Sequence, residues 1–423
     1  MKTDIYHQSS RSSSSLVLFA FTLSNLFASI SLFWLVPVCV FSETALWFLL
    51  AAATLSRLQQ EKRLPTFFAI AHANRFLFLF IFFAGLSIFW SVDWSISLAR
   101  LLTLLALLLV GGYIGLRYSL KEILEFLSVF GVYILTISLI LIVLAPNIGV
   151  MNYHIIQGAW RGLYWHKNHM GFISGFIALV FFMMFLTSYF LKKKIAWVWG
   201  SIYLFSLFFV FQTDSVGAYF SLISVHGMVF LILIWLRLKT QIKSHHYIIF
   251  ITMILFVAGL ILSNLEYVLG LFNREISMTG RTLMWWHLFN NYLAAKPLGG
   301  YGFNAFWHIE NHRVTMQLAA EYPDPIVIAD NGFIDILINT GFIGLSLFLL
   351  LYLGIWWRSL LFAWKAATIT DCFPLIFMFY MLVANISWSL MYENESFFML
   401  LMVIMLFSIG KRSLQVPPTG LSN

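Results

Sequence analysis

The sequence predicts an all-α, polytopic integral membrane protein, and three observations carry that reading. Of its 423 residues 61% are hydrophobic and 10% charged, with 44 Phe and 16 Trp, an apolar content beyond that of soluble domains. The apolar residues fall in uncharged runs of roughly 20, the length that crosses a hydrocarbon layer. The basic residues alternate between connections. Seventeen of the 25 Lys and Arg lie in every second connection, seven lie in the others (Arg100, Arg161, Lys167, Arg274, Arg281, Lys296 and Arg313), and Arg75 sits at the edge of a run. The positive-inside rule then puts both termini in the cytoplasm. The net charge of +8 is a topology signal, not a nucleic-acid footprint.

In chain order the runs lie near 16–36, 38–56, 67–89, 96–116, 122–145, 169–190, 195–212, 216–236, 246–264, 332–355, 372–390 and 396–410, which predicts about twelve spans. The polar start, MKTDIYHQSSRSSSS, precedes the first run without a small-residue cleavage site, so that run reads as an uncleaved span. Cys39 and Cys372 both lie inside runs and give neither a disulfide framework nor a metal-site spacing. The basic connections are short, with no glycine-rich phosphate loop and no room for a nucleotide-binding domain. The opposite connections hold the unusual sequence: WSVDW at 90–94, residues 152–171, QTDSVG at 212–217, the long segment 265–331 and YENES at 392–396. The chain thus divides into helices over 1–264, one large periplasmic loop over 265–331, and helices with a cytoplasmic tail over 332–423. A loop of that length is of the functional kind.

Within the loop, Gly280 to Ala295 reads as an amphipathic helix on the membrane surface, with Leu283, Met284, Leu288, Tyr292 and Leu293 on its apolar side and Pro297 beyond its end. Arg281 falls in the first turn. A cation at the positive end of a helix asks for an anion, and a diphosphate, Glu275 or a lipid phosphate would each serve. "KPLGGYGFNAFW" at 296–307 follows, where Pro297, Gly300 and Gly302 permit tight turns. Tyr301, Phe303, Phe306 and Trp307 offer either sugar-stacking faces or interfacial anchors. "RGLYWHKNHMG" at 161–171 gathers Arg161, His166, Lys167, Asn168 and His169, suited to an anion or to lipid headgroups. His166 and His169 have no acidic partner nearby in sequence, so no metal is predicted. In "IADNGFIDILINTGFIGLSLFL" at 328–349, Asp330 or Asn331 suits the N-cap of a helix beginning near 332, and Gly341 and Gly344 suit close helix approach. Asp330 also suits a proton acceptor. Asp93, Asp214, Glu393 and Glu395 are further carboxylates on that side.

Read together, WSVDWSISLAR (90–100), WHKNHMG (165–171), TGRTLMWW (279–286), KPLGGYGFNAFW (296–307) and DNGFIDILINTGFIGL (330–345) resemble the O-antigen ligase and O-antigen polymerase superfamily, most closely its exopolysaccharide polymerase branch. The resemblance implies a GT-C-like polytopic glycosyltransferase of the bacterial inner membrane. It would polymerise undecaprenyl-diphosphate-linked oligosaccharide onto an acceptor glycan at the periplasmic face, without metal, cofactor or nucleic acid. Membrane lipids and polysaccharide export or assembly proteins are the other implied partners. Arg281, after Gly280, matches the family's GR motif and its diphosphate ligand. Asp330 stands where the family's ligases carry their histidine, followed by Asn331, Gly341 and Gly344 in the expected places. A second arginine, expected after a serine at a span start, is replaced by Val216 after Ser215, so either Arg161, Lys167 or Arg100 supplies that charge or the donor is held differently. These departures weigh against a ligase, which would transfer glycan to lipid A-core, more than against a polymerase. The chemistry agrees independently: nucleotide sugars are absent outside the cytoplasm, and arginine beside a base suits diphosphate departure. A secondary transporter would show paired halves and charges near mid-span. A flippase would need polar groups through the membrane depth.

Overall fold

The computed structural model describes residues 36–153, 156–239, 281–318, 326–390 and 397–415. Besides short turns, thirteen helices of eight or more residues and one hairpin follow in chain order among the described residues: α1 (Val36–Gln60), α2 (Leu64–His72), α3 (Arg75–Leu86), α4 (Trp94–Arg117), α5 (Leu120–Leu144), β1 (Val150–Tyr153), β2 (Ile156–Trp160), α6 (Lys167–Phe190), α7 (Ile195–Gln212), α8 (Val216–Leu238), α9 (Arg281–Leu288), α10 (Phe306–Gln317), α11 (Gly332–Trp364), α12 (Phe373–Ser387) and α13 (Phe397–Gln415). The chain is a multi-pass membrane protein. Seven described helices, α4 to α8, α11 and α12 with its leading turn, are long and apolar enough to cross a bilayer, eight if a bent pair counts as one.

Twelve spans are therefore not reproduced among the described residues. Run 246–264 and nearly all of 16–36 lie outside them; 38–56 and 396–410 are helical but not among the seven. The run expected as one span at 67–89 is broken. α2 and the helical stretch from Arg75 to Trp90 meet at 84°, because Asn74 turns its side chain back on the Ile70 carbonyl (2.6 Å) and the Arg358 guanidinium holds the corner through Asn74 Oδ1 and the Ala73 carbonyl. The hairpin also departs from the all-helical expectation. The stretch around 150–160 is rich in aromatic and apolar residues, and Trp160 packs edge-on to Phe208 and Phe209 of α7.

The spanning helices share one buried cluster, from Trp47 of α1 to Phe407 of α13. Lipid is as apolar as these side chains, so they hold by close packing more than by escape from water. The segment between α9 and α10 has a second core of its own, in which Met284, Leu288, Tyr292, Tyr301, Phe306, Trp307 and Val314 close over Leu337 and Ile338 of α11. That small core seats the loop on one end of the bundle.

Candidate active site

The seat is fixed by an exchange of backbone hydrogen bonds. α11 is interrupted at Gly341, whose φ of 65° and ψ of −172° lie outside the helical region. Beyond this point the amides of Phe342 and Ile343 leave the helix ladder and donate to the carbonyls of Pro297 (2.8 Å) and Leu298 (3.3 Å). The freed carbonyls of Ile338 and Asn339 accept from the amides of Tyr301 (3.1 Å) and Gly302 (2.9 Å). All four groups are satisfied by the loop, as buried backbone requires. The approach is so close that a Cβ on Gly341 would stand 2.2 Å from the Leu298 carbonyl oxygen, and one on Gly300 2.5 Å from the backbone of Asn339. The glycines read as helix-packing sites thus have a different principal use at 341: the neighbour admitted there is the loop. Gly344 faces Phe83 of α3, nearer to the expected role. Gly302, at φ 103°, lies against Ser91.

Asp335, one turn into α11, is wholly buried and was passed over in the sequence as part of an apolar run. Its carboxylate accepts from Trp307 Nε1 (2.5 Å), from the Ala329 amide (3.0 and 3.2 Å) and from the Ser389 hydroxyl. One side chain thereby ties together the loop, the segment leading into α11 and the end of α12. A lone acidic residue in an apolar run was the available signal. The Ala329 carbonyl in turn accepts from Trp285 Nε1 of α9 (2.7 Å). Both backbone polar groups of Ala329, the residue before Asp330, are held.

Asp330 follows in a left-handed conformation, φ 54°, and its Oδ2 accepts from Arg281 Nε at 2.9 Å. Arg281 is the first residue of α9, as expected, and the two side chains are 17% and 25% exposed, so the pair is reachable. The cap of α11 is Asn331, which accepts from the amides of Phe333 and Ile334 and donates to the Ile386 carbonyl (3.2 Å). Asp330 is free of capping duty. Gly280, Glu275, Glu393 and Glu395 lie outside the described residues.

The cluster at 161–171 divides. His166 caps α6, with Nδ1 accepting from the Asn168 amide (3.1 Å), and its ring stacks on Trp388 at 5.4 Å and 16°. Lys167 is buried and donates to the Asp214 carbonyl (2.7 Å) and carboxylate (2.9 Å), just before α8. Arg161 is spent on the carbonyls of Ile148, Asn147 and Trp165, and so braces the hairpin. Trp388 is next to Ser389, the partner of Asp335, and a Cβ on Gly217 of α8 would touch Ser387 at 2.9 Å. Residues 385–390, which sequence reasoning missed although Asn385, Ser387 and Ser389 interrupt an apolar run there, therefore join the His166 and Lys167 cluster to the Asp330 and Arg281 pair.

The loop aromatics do not form a sugar platform. Tyr301, Phe303, Phe306 and Trp307 are all buried, and Tyr292, Tyr301, Phe306 and Trp307 pack edge-to-face with one another. Leu283, placed on the apolar face of α9, is exposed instead, since the buried stripe runs Met284, Leu288, Tyr292. Asp93 caps α4 through the amides of Ser95 and Ile96; burial works against its charge, but those bonds and the Ser95 hydroxyl hold its carboxyl below the usual range. Burial, with the Arg100 guanidinium beside it, pushes His308 down to about 4 against the opposing pull of Asp93.

Residues 201–349, which contain Arg281, Asp330 and the break at Gly341, match the O-antigen ligase family. The chain is also 24% identical over 293 residues to the exopolysaccharide production protein ExoQ of Rhizobium meliloti (strain 1021), a match covering 64% of this chain. It spans 62% of the length of that relative. These matches support the O-antigen ligase and polymerase-like superfamily. Arg281 and Asp330, which the resemblance marks as diphosphate ligand and histidine-position residue, lie side by side.

Proposed function

We propose that this protein is a membrane glycosyltransferase that polymerises undecaprenyl-diphosphate-linked oligosaccharide repeats into a surface polysaccharide at the outer face of the inner membrane. The observation that carries the reading is the 2.9 Å pair between Arg281 and Asp330, a fork of donors suited to a diphosphate beside a carboxylate able to take a proton. Arg281 pairs with Asp330 through Nε, and the reading assigns its terminal amino groups, which bond to none of the described residues, to the donor. In the reaction an acceptor hydroxyl oxygen attacks the anomeric carbon and its proton passes to Asp330. The bond from that carbon to the diphosphate oxygen breaks, and the diphosphate leaves on its lipid with its growing charge met by Arg281. His166, stacked on Trp388, would extend the site toward the glycan with Asn168 beside it, while Lys167 holds Asp214 behind them.

The family description as a ligase favours a second reading, transfer of finished glycan to lipid A-core. Purified protein in vesicles with lipid-linked repeat decides between them: a ladder of lengthening product supports polymerisation, and transfer only when lipid A-core is added supports ligation. Asp330→Asn tests the base. Because Asn331 caps α11, the variant keeps its fold and binds donor but should lose turnover. Normal turnover would remove Asp330 from the mechanism and turn attention to Asp214 and His166.

A further inference from the structure

The opposite end of the helix that reaches the site contains a second feature. α3 and its terminal turn run from Arg75 to Trp90, roughly 24 Å at 1.5 Å per residue, and Trp90 donates to the Gly299 carbonyl of the loop. At the other end, in the corner between α2 and α3, lies a cavity of about 380 Å³ lined by His72, Asn74, Arg75, Phe76, Leu350 and Arg358 among others. Among the described residues its charged walls are all basic and no carboxylate lines it. No side chain caps α3, because Asn74 bonds back to α2 and accepts from Arg358. A helix end with uncapped amides attracts an anion, and Arg75, at its first position, would by itself be repelled there. Arg358 commits two of its amino groups to the corner and has further donors to give. The remaining walls, Phe76, Leu350 and Leu351, are apolar and belong to helices α3 and α11.

We propose that this cavity binds a phosphate group, with the headgroup of an anionic membrane lipid as its occupant. A phosphate alone would leave the apolar walls bare, whereas a lipid sets its glycerol and first methylenes against them. Occupation would brace the 84° corner from which α3 rises to the loop. The site is independent of the proposed reaction.

The test compares purified wild type, Arg75→Gln, Arg358→Gln and Lys365→Gln in vesicles of phosphatidylcholine with and without phosphatidylglycerol, reading retained lipid by native mass spectrometry and stability by thermal melting. Among the described residues Arg75 makes only a contact over the Phe76 ring at 5.5 Å, so its variant folds even if Arg358→Gln does not. Lys365 is exposed just past α11 and removes the same charge away from the cavity. Wild type and Lys365→Gln should retain phosphatidylglycerol in preference and melt higher with it, while Arg75→Gln loses most of both effects and melts like wild type in phosphatidylcholine alone. Inorganic phosphate added to phosphatidylcholine vesicles separates the sources: if it raises the wild-type melt fully and phosphatidylglycerol does not, the site takes free phosphate and the lipid assignment falls. Full preference in Arg75→Gln, equal loss in Lys365→Gln, or no preference in wild type each overturns the proposal.

Discussion

At the end of the bundle that carries Lys62, Arg117 and Lys365, helices are joined by ion pairs near the surface: Glu61 with Arg63 (2.8 Å) and Arg117 (3.5 Å), and Asp371 with Arg412 (2.8 Å). At the end that carries Asp330, the ion pairs of Asp330 and Asp214 are backed by buried joints made of backbone, with Asp335 and Asn339 wholly enclosed and α11 opened to admit the loop. Exposed pairs are screened and tolerant of loss. Buried polar groups and non-helical backbone persist only where their surroundings fix them, and such investment gathers at working sites. The contrast supports the proposal that places the reaction at the Asp330 end.

The sharpest way to break that contrast is Gly341→Ala. A side chain at φ 65° that also meets the Leu298 carbonyl at 2.2 Å should cost roughly 3 kcal/mol or more and sharply lower the yield of folded protein in a thermal melt. A variant that melts like wild type would mean the loop is not threaded into α11. Next comes Arg281→Lys, which can still pair with Asp330 but cannot offer a diphosphate a planar fork. Polymer should fall about tenfold or more at unchanged protein abundance on an immunoblot. Normal polymer would take Arg281 out of donor binding.

A smaller effect is expected from pH. His308 has a folded value of about 4 against an ordinary 6.5, so the folded protein holds it neutral while the unfolded chain takes up a proton. Its contribution is present above pH 6.5 and is lost as pH falls toward 4. The melting temperature should decline over that window, and His308→Gln should flatten the decline; parallel curves would place the pH sensitivity elsewhere. The smallest change belongs to the other end. Glu61→Gln keeps an acceptor for the Tyr113 hydroxyl and gives up two ion pairs, so it should cost under about 1 kcal/mol by denaturant titration. A larger loss there would erase the distinction between the ends.

The class of fold was legible because composition and run length report directly on a bilayer. The corner at Asn74 was not, since a short polar patch in "AIAHANRFLF" looks like a tolerated interruption until a partner 284 residues away, Arg358, is seen to hold Asn74. Within the site, the residue types that do local work were readable, such as Asn331 as a cap. What long-range pairing decides was not: Arg281 and Asp330 were each singled out, but no local pattern joins two groups 49 residues apart. Arg161 looked like an anion ligand because charge is visible in sequence, whereas the three carbonyls that consume it are not. The aromatics at 301–307 failed for the same reason, their exposure being settled by what folds over them.

The interruption at Gly341 also has a mechanical side. An unbroken rod passes tilt and rotation along its length, so that any change in bilayer thickness felt by its stem would reach its tip. In α11 two rungs of the ladder are diverted to the loop, and the tip from Gly332 to Thr340 is fastened sideways to residues 297–302 and, through Asp335 and Asn331, to the end of α12. The stem beyond Gly341 can follow the lipid while the tip follows the loop. The segment entering at Asp330 is thereby insulated from the membrane that its own helix crosses.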